Sequence, residues 1–139
     1  MENELIVVDT DVVIDFFNGI SPGAGVLSTL ILRQEAALTS VSVFELYAGV
    51  EGKRRLSQIE TLIQAVTILP LDVIEAVIAG RIYTQLKSKG RLIGTHDILL
   101  AATCVANTLP LYTKNVAHFS KVEDIQVLSE EDILEHEHV

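Results

Sequence analysis

Apolar residues follow two alternating patterns along the chain, short continuous runs and longer stretches with helical spacing. A β-branched run over residues 5–8 ends at Asp9 and predicts a buried strand. Residues 11–18 then place apolar side chains three and four positions apart and stop at a glycine, which predicts a helix. A Ser-Pro-Gly turn separates this helix from a second one over residues 24–34.

The same two patterns continue to the end of the chain. Apolar runs predict four further strands, at residues 37–39, 67–71, 109–113 and 125–128. Helical spacing predicts helices between them, one capped by Ser40 or Ser42 and ending at Gly49, one over 53–66, one capped by Asp72 and closed by Gly90, and one over 97–106 capped by Thr95. Strands separated by helices predict an α/β fold, with a central parallel sheet covered by helices on both faces.

Acidic and amide residues follow the predicted strands. Asp9 and Asp11 come after the first strand, Glu45 lies in the helix after the second, Asp97 begins the most apolar helix, and Asn115 follows the fourth strand. Ligands of parallel sheets bind at the carboxyl ends of the strands, so we expect these side chains to share one edge of the sheet.

Carboxylates that converge without Lys or Arg partners resist ionisation unless a divalent cation neutralises them. An all-oxygen set favours Mg²⁺ or Mn²⁺ and indicates metal-assisted phosphoryl transfer. A simpler interpretation exists for two members, since Asp11 and Asp97 also suit the positive ends of their helices, and for Asp11 this interpretation is favoured. Asp15 is expected on the solvated face of its helix.

Composition limits the class of protein. The chain has 139 residues, 49% of them hydrophobic, and a single Cys, which predicts one domain over residues 1–139 and excludes disorder, an internal disulfide and a Cys-rich zinc site. No apolar run approaches the length of a membrane span, and the first residues are acidic where a signal peptide would be basic. A cytoplasmic protein without a membrane partner is therefore expected.

The formal net charge of −9 argues at first against a nucleic-acid partner. The charge is unevenly distributed, however, with −5 in residues 1–32, +3 in residues 33–121 and −7 in residues 122–139. The middle of the chain could therefore present a basic rim to phosphates, through residues 53–55, residues 81–91 and Lys114. The acidic tail, about 130–139, is expected to fray in solvent.

Four stretches of the chain, VVDTDVVIDFF, TSVSVFELYAGV, IGTHDILLAATCV and LYTKNVAHFSKV, resemble the PIN-domain ribonucleases in order and approximate spacing. Within that family they are most similar to the VapC-like toxins of prokaryotic toxin–antitoxin pairs. The resemblance covers nearly the whole chain and implies a three-layer α/β/α domain. The acidic positions of the family match Asp9, Glu45 and Asp97, whereas the fourth, acidic in many relatives, is Asn115.

The resemblance implies a Mg²⁺- or Mn²⁺-dependent endoribonuclease that cleaves RNA phosphodiesters with a metal-activated water. It implies that Asp9 and Asp97 hold the metal, that Glu45 binds it directly or through water, and that Asn115 with Thr113 orients water or a second ion. Thr10 and Asp11 would support this site. It also implies an antitoxin partner, whose basic side chains would enter the acidic pocket.

Other candidate residues have structural interpretations that are favoured. His96 is expected simply to occupy the first turn of a helix and His118 to lie on the surface. Tyr47, Tyr83 and Tyr112 each belong to an apolar face and are expected in the core. The abundance of apolar residues on helices also predicts a homodimer.

Three other functions remain open from the residues. Asp9-Thr10-Asp11-Val12-Val13 fits the motif of haloacid-dehalogenase-like phosphatases, although the late acidic pair which that fold needs is poorly placed. A receiver-like signalling domain would use Asp9 and Asp11 with Thr113-Lys114, but it would need an Asp where Pro70-Leu71 stands. A PIN-like interaction module without catalytic activity is the third alternative, and Asn115 would permit it.

Overall fold

The computed structural model describes residues 4–135. The five strands are β1 (Ile6–Val8), β2 (Ala36–Thr39), β3 (Thr67–Leu69), β4 (Leu111–Tyr112) and β5 (Val127–Leu128). The helices are α1 (Thr10–Phe17), α2 (Gly23–Leu32), α3 (Ser40–Ala48), α4 (Gly52–Ala65), α5 (Val73–Ser88), α6 (Thr95–Asn107), α7 (Val116–Phe119) and α8 (Glu130–Glu135). All five predicted strands are present, although β3, β4 and β5 are each shorter than predicted by two residues or more. Pro70 follows β3 and Pro110 precedes β4, and neither has an N–H to extend the ladder.

The strands form one parallel sheet in the order β3-β2-β1-β4-β5. The chain moves outward from β1 to β3 on one side, and then returns to place β4 on the other side of β1. The strand order therefore reverses between β1 and β4. The connections that follow these two strands lead to opposite faces of the sheet, and they leave a crevice at the carboxyl ends, where sheets of this type bind ligands.

Two apolar cores cover the two faces of the sheet. Because side chains alternate along a strand, Ile6 and Val8 of β1 enter one core while Val7 enters the other. The first core packs the sheet against α1, α2, α3, α4 and α8, and the second packs it against α5, α6 and α7. This arrangement confirms the predicted three-layer α/β/α architecture.

The helix caps differ in part from those predicted. Asp72 caps α5 as predicted, in a reciprocal capping box with Glu75. The prediction of Ser40 or Ser42 as the cap of α3 is wrong, since the Thr39 hydroxyl accepts the Ser42 N–H at 3.1 Å. Thr95 is not the cap of α6 either, because it is the first residue of that helix; Gly94 is the cap, and no side chain caps the helix.

The acidic tail is ordered further than predicted. Residues 130–135 form α8, and Ile133 of this helix is fully buried in the first core. The predicted fraying from about residue 130 is therefore wrong for α8, because one apolar side chain anchors an otherwise acidic segment, while residues 136–139 lie outside the described residues. Within residues 4–135, no helix is long and apolar enough to cross a membrane.

The contribution of α8 can be tested with two neighbouring substitutions. Ile133→Ala is expected to lower the free energy of unfolding by about 2–5 kcal/mol, the usual cost of truncating a buried Ile. Leu134→Ala is the matched control, since Leu134 is 38% exposed, and it is expected to cost clearly less. Urea denaturation measures both, and equal small effects would show that α8 does not pack on the domain in solution.

Candidate active site

Asp9 lies at the point where the strand order reverses. It follows β1 directly and is 8% exposed. Its Oδ1 accepts a hydrogen bond from the Thr10 N–H at 2.7 Å and so caps α1. Its Oδ2 accepts a hydrogen bond of 2.8 Å from the hydroxyl of Thr113, the residue that follows β4. The carboxylate is thus fixed between the two central strands of the sheet.

Asp11 joins the same site from the first turn of α1. Its Oδ2 accepts the backbone N–H of Lys114 at 3.2 Å, whereas its Oδ1 is buried without a hydrogen-bond partner. Asp15 lies one turn further along α1 and forms an ion pair with the Lys114 ammonium at 2.9 Å. The expectation that Asp15 is solvated is therefore wrong, since it is buried at this ion pair.

Glu45 reaches the site from α3. Its Oε1 accepts the Thr10 hydroxyl at 3.1 Å, and its Oε2 lies 3.5 Å from Nδ1 of His96. A shallow cavity of about 330 Å³ is lined by Glu45, Gly94, Thr95, His96 and Asp97. His96 occupies the first turn of α6, as expected, but it also contacts the site.

Asp97 and Asn115 complete the sequence-predicted set. Asp97 lies in the first turn of α6, and its Oδ2 is 3.3 Å from Nδ1 of His118 in α7. The prediction that His118 is simply a surface residue is therefore wrong, because its ring contacts the Asp97 carboxylate. The backbone N–H of Asn115 donates to the Thr113 hydroxyl at 3.0 Å, so the same threonine links Asn115 to Asp9.

Comparisons with known proteins identify this arrangement. A family model described as the PIN domain matches residues 6–125. The chain belongs to the PIN domain family. This membership agrees with the three-layer fold, and it decides against the phosphatase-like and receiver-like alternatives.

Relatives of this PIN domain are known by sequence and by structure. Ribonuclease VapC19 of Mycobacterium tuberculosis is 34% identical over 122 residues, which cover 86% of this chain and 95% of that protein. The DNA-bound VapBC structure from Salmonella typhimurium superposes with a TM-score of 0.81 at 22% identity, over 92% of this chain and 99% of that one. FitAcB from Neisseria gonorrhoeae superposes with a TM-score of 0.74 at 27% identity, over 91% of this chain and 98% of that one.

The electrostatics of the PIN domain's pocket are dominated by uncompensated acids. The pKa of Asp9 is raised from its ordinary 3.8 to about 7, mainly by burial and then by the negative charges of Asp11 and Asp97, while two hydrogen bonds act in the opposite direction. Burial also raises the pKa of Asp11. Within residues 4–135, no Lys or Arg forms an ion pair with Asp9, Glu45 or Asp97.

This donor set suits a hard divalent cation. The donors are carboxylate and hydroxyl oxygens, and the buried Oδ1 of Asp11 has no partner. A positive charge would stabilise the ionised form of Asp9, which burial and the neighbouring acids disfavour. In the described part of the chain, however, no three His, Cys, Asp or Glu side chains lie close enough together to hold a metal ion as they stand. A bound Mg²⁺ would therefore rely on one or two of the carboxylates together with water, or on a rearrangement of the side chains.

The basic side chains that were expected to attract phosphate are partly engaged within the protein. The Arg55 guanidinium lies over the Phe17 ring at 5.0 Å and donates to Asn18, and Lys89 pairs with Glu123. Lys114 is the basic side chain linked directly to the acidic network, through its ion pair with Asp15.

Most of the site residues were identified from sequence, but Asp15, His96 and His118 were expected to have no role in the site. Asp15 is four positions after Asp11, and this spacing places both side chains on one face of α1, which could have indicated a shared environment. His118 gave no comparable signal, because its contact with Asp97 depends on how α7 packs against α6.

The raised pKa of Asp9 predicts how stability depends on pH in the metal-free protein. Between about pH 4 and 7 the unfolded chain has already lost the proton that folded Asp9 retains, so the free energy of unfolding should fall as the pH rises. The upper limit is about 4 kcal/mol, from roughly three pKa units. Urea denaturation in EDTA at several pH values measures this slope.

The matched control for this prediction is Asp9→Asn, which cannot titrate. The free energy of unfolding of this variant should lose the part of its pH dependence that comes from residue 9 and keep the part that comes from other titrating groups. Near pH 8 in EDTA, the variant should be more stable than the wild type. Equal slopes in the two proteins would contradict the raised pKa of Asp9.

Proposed function

We propose that this protein is a Mg²⁺- or Mn²⁺-dependent endoribonuclease that acts in the cytoplasm as the toxin of a toxin–antitoxin pair. The observation that carries the proposal is the buried, uncompensated Asp9 carboxylate beside Asp11 and Asp97 at the reversal point of the sheet. The names of the relatives support the reaction, since VapC19 is called a ribonuclease.

In this proposal, Asp9 and Asp97 hold the cation, and Glu45 binds it directly or through water. The bound cation would supply an activated water and charge stabilisation at the phosphate. Thr113 holds the Asp9 carboxylate in place through its 2.8 Å hydrogen bond, and Thr10 does the same for Glu45. Because Thr113 also accepts the Asn115 N–H, it fixes the backbone from which the Asn115 side chain would orient water or a second ion.

Two supporting roles follow from the contacts. Asp11 accepts the Lys114 N–H, and Asp15 holds the Lys114 ammonium, so the two acids anchor the segment that leaves β4. That segment carries Thr113 and Asn115. We therefore assign Asp11 a positioning role through these contacts.

Cleavage of a mixed RNA pool, with and without EDTA, tests the proposed reaction. The wild type is expected to cleave RNA with Mg²⁺ or Mn²⁺ and to lose this activity in EDTA. Asp9→Asn should reduce cleavage at least about 100-fold, since even the loss of groups that only support metal ligands costs 10- to 100-fold.

Leu32→Ala serves as the control for this assay, because Leu32 is exposed at the opposite edge of the sheet. Full activity of Asp9→Asn, or activity of the wild type that persists in EDTA, would refute the proposed mechanism. Absence of both metal binding and cleavage would instead favour a PIN-like interaction module without catalytic activity.

The proposed antitoxin partner is supported by the charge of the pocket and by the neighbouring structures. A Klebsiella pneumoniae structure with a TM-score of 0.74 is described as a toxin–antitoxin complex. Among residues 4–135, no Lys or Arg pairs with Asp9, Glu45 or Asp97, and the imidazoles of His96 and His118 lie beside the latter two. An Arg or Lys from another chain would therefore complement the pocket.

A growth assay tests the toxin role separately from the chemistry. Expression of this chain alone in a bacterial host is expected to reduce colony formation, whereas Asp9→Asn at the same protein level should not. Co-expression of a small protein encoded by an adjacent gene should restore growth. Normal growth with an active wild-type enzyme would indicate a housekeeping nuclease.

The proposal also includes a homodimer. Several large apolar side chains are exposed at the start of α5, namely Val73, Ile74 and Val77. Exposed apolar clusters of this kind favour association with another protein surface, and in a homodimer the same helix of a second copy would cover them.

A further inference from the structure

Phe44 is an exposed aromatic residue beside the candidate active site. It directly precedes Glu45 in α3, and it is 57% exposed while its helix neighbours Val41 and Leu46 are buried. The expectation that the three tyrosines belong to the core is wrong for Tyr47 and Tyr83, which are exposed, and it is confirmed for Tyr112, which is buried. Phe44 differs from these two because of what its ring contacts.

The Phe44 ring and the imidazole of His96 pack together in a T-shaped pair. The ring centroids are 5.5 Å apart and the planes are inclined by 74°. His96 is itself 3.5 Å from the Glu45 carboxylate and lines the same cavity as Glu45 and Asp97. His96 thus links the exposed Phe44 ring to the acidic pocket, because its imidazole contacts both that ring and the Glu45 carboxylate.

This arrangement matches the shape of a nucleotide. A phosphate and its base are separated by a single sugar, so a chain whose phosphate lies at the carboxylates brings a base close to the neighbouring rings. Stacking of a base on an aromatic side chain needs an open ring face and tolerates any base. A base inside a duplex cannot stack in this way, because its faces are covered by adjacent pairs.

We propose that Phe44, held by His96, is a stacking platform for an unpaired base next to the scissile phosphate. The inference rests on the proposed endoribonuclease function and names a side chain of this protein that would contact the RNA beside the cleavage site. Phe44 is then a substrate-contacting residue that sets the choice between single-stranded and duplex RNA.

Binding measurements with a non-cleaving protein test the platform. The probe is a pool of single-stranded oligoribonucleotides of about ten nucleotides, with Asp97→Asn as the background so that the RNA stays intact. Adding Phe44→Leu keeps an apolar side chain of similar size but removes the ring, and it should weaken binding about 5- to 100-fold. Phe44→Trp should bind at least as tightly as the parent, and a duplex of equal length should bind equally to all three.

Fluorescence gives a second readout that a purely structural role would not change. The chain contains no Trp, so Phe44→Trp introduces a single reporter. Its emission should be quenched by the single-stranded pool and not by the duplex. Leu32→Trp is the control, because Leu32 is 86% exposed and precedes the amino end of β2, at the edge of the sheet opposite the site.

The outcomes separate this inference from the function on which it rests. Absence of RNA cleavage by the wild type with either metal would refute the proposed function. Cleavage with an unchanged KM in Phe44→Leu, together with unquenched indole emission in Phe44→Trp, would overturn the platform alone. A change from dimer to monomer in Phe44→Leu, measured by light scattering, would overturn it as well and would assign Phe44 to a contact between copies.

Discussion

The site depends on the burial of the Asp9 carboxylate at the junction of β1 and β4. Two hydrogen bonds, from the Thr10 N–H and the Thr113 hydroxyl, hold this carboxylate. They do not compensate its charge, because burial and the nearby Asp11 and Asp97 raise its pKa to about 7. The fold therefore holds an acid where its ionised form is unfavourable, and this cost makes the position sensitive to any cation that can approach it.

The sheet topology creates this position, and much of it could be predicted from the sequence. The apolar run of β1 ends at Asp9, and a parallel sheet brings the carboxyl ends of its strands to one edge. Local patterns thus identified the five strands, the three layers and the acids that follow the strands. Pairing of β1 with β4, which fixes Thr113 against Asp9, links residues 104 positions apart and cannot be deduced from local periodicity.

The errors in the sequence analysis have the same physical origin. Asp15 was expected in solvent because a lone acid on a helix usually lies there, but Lys114 arrives from β4 and pairs with it. Similarly, the acidic composition of the tail suggested fraying, yet burial of Ile133 anchors α8 on the first core. In both cases a single long-range contact outweighs the local composition, which by itself carries no information about the partner.

The same uncompensated charge gives one physical basis for the proposed RNA cleavage and for the proposed binding of an antitoxin. A divalent cation at Asp9, Glu45 and Asp97 would lower the repulsion between the carboxylates and allow phosphate to approach. A basic side chain from an antitoxin would satisfy the same electrostatic need, but without providing the chemistry. The two would compete for one pocket, so the carboxylates that make the proposed nuclease active would also make it open to inhibition. The net charge of −9 is then no obstacle to an RNA substrate, because what matters is which charges remain uncompensated at the pocket.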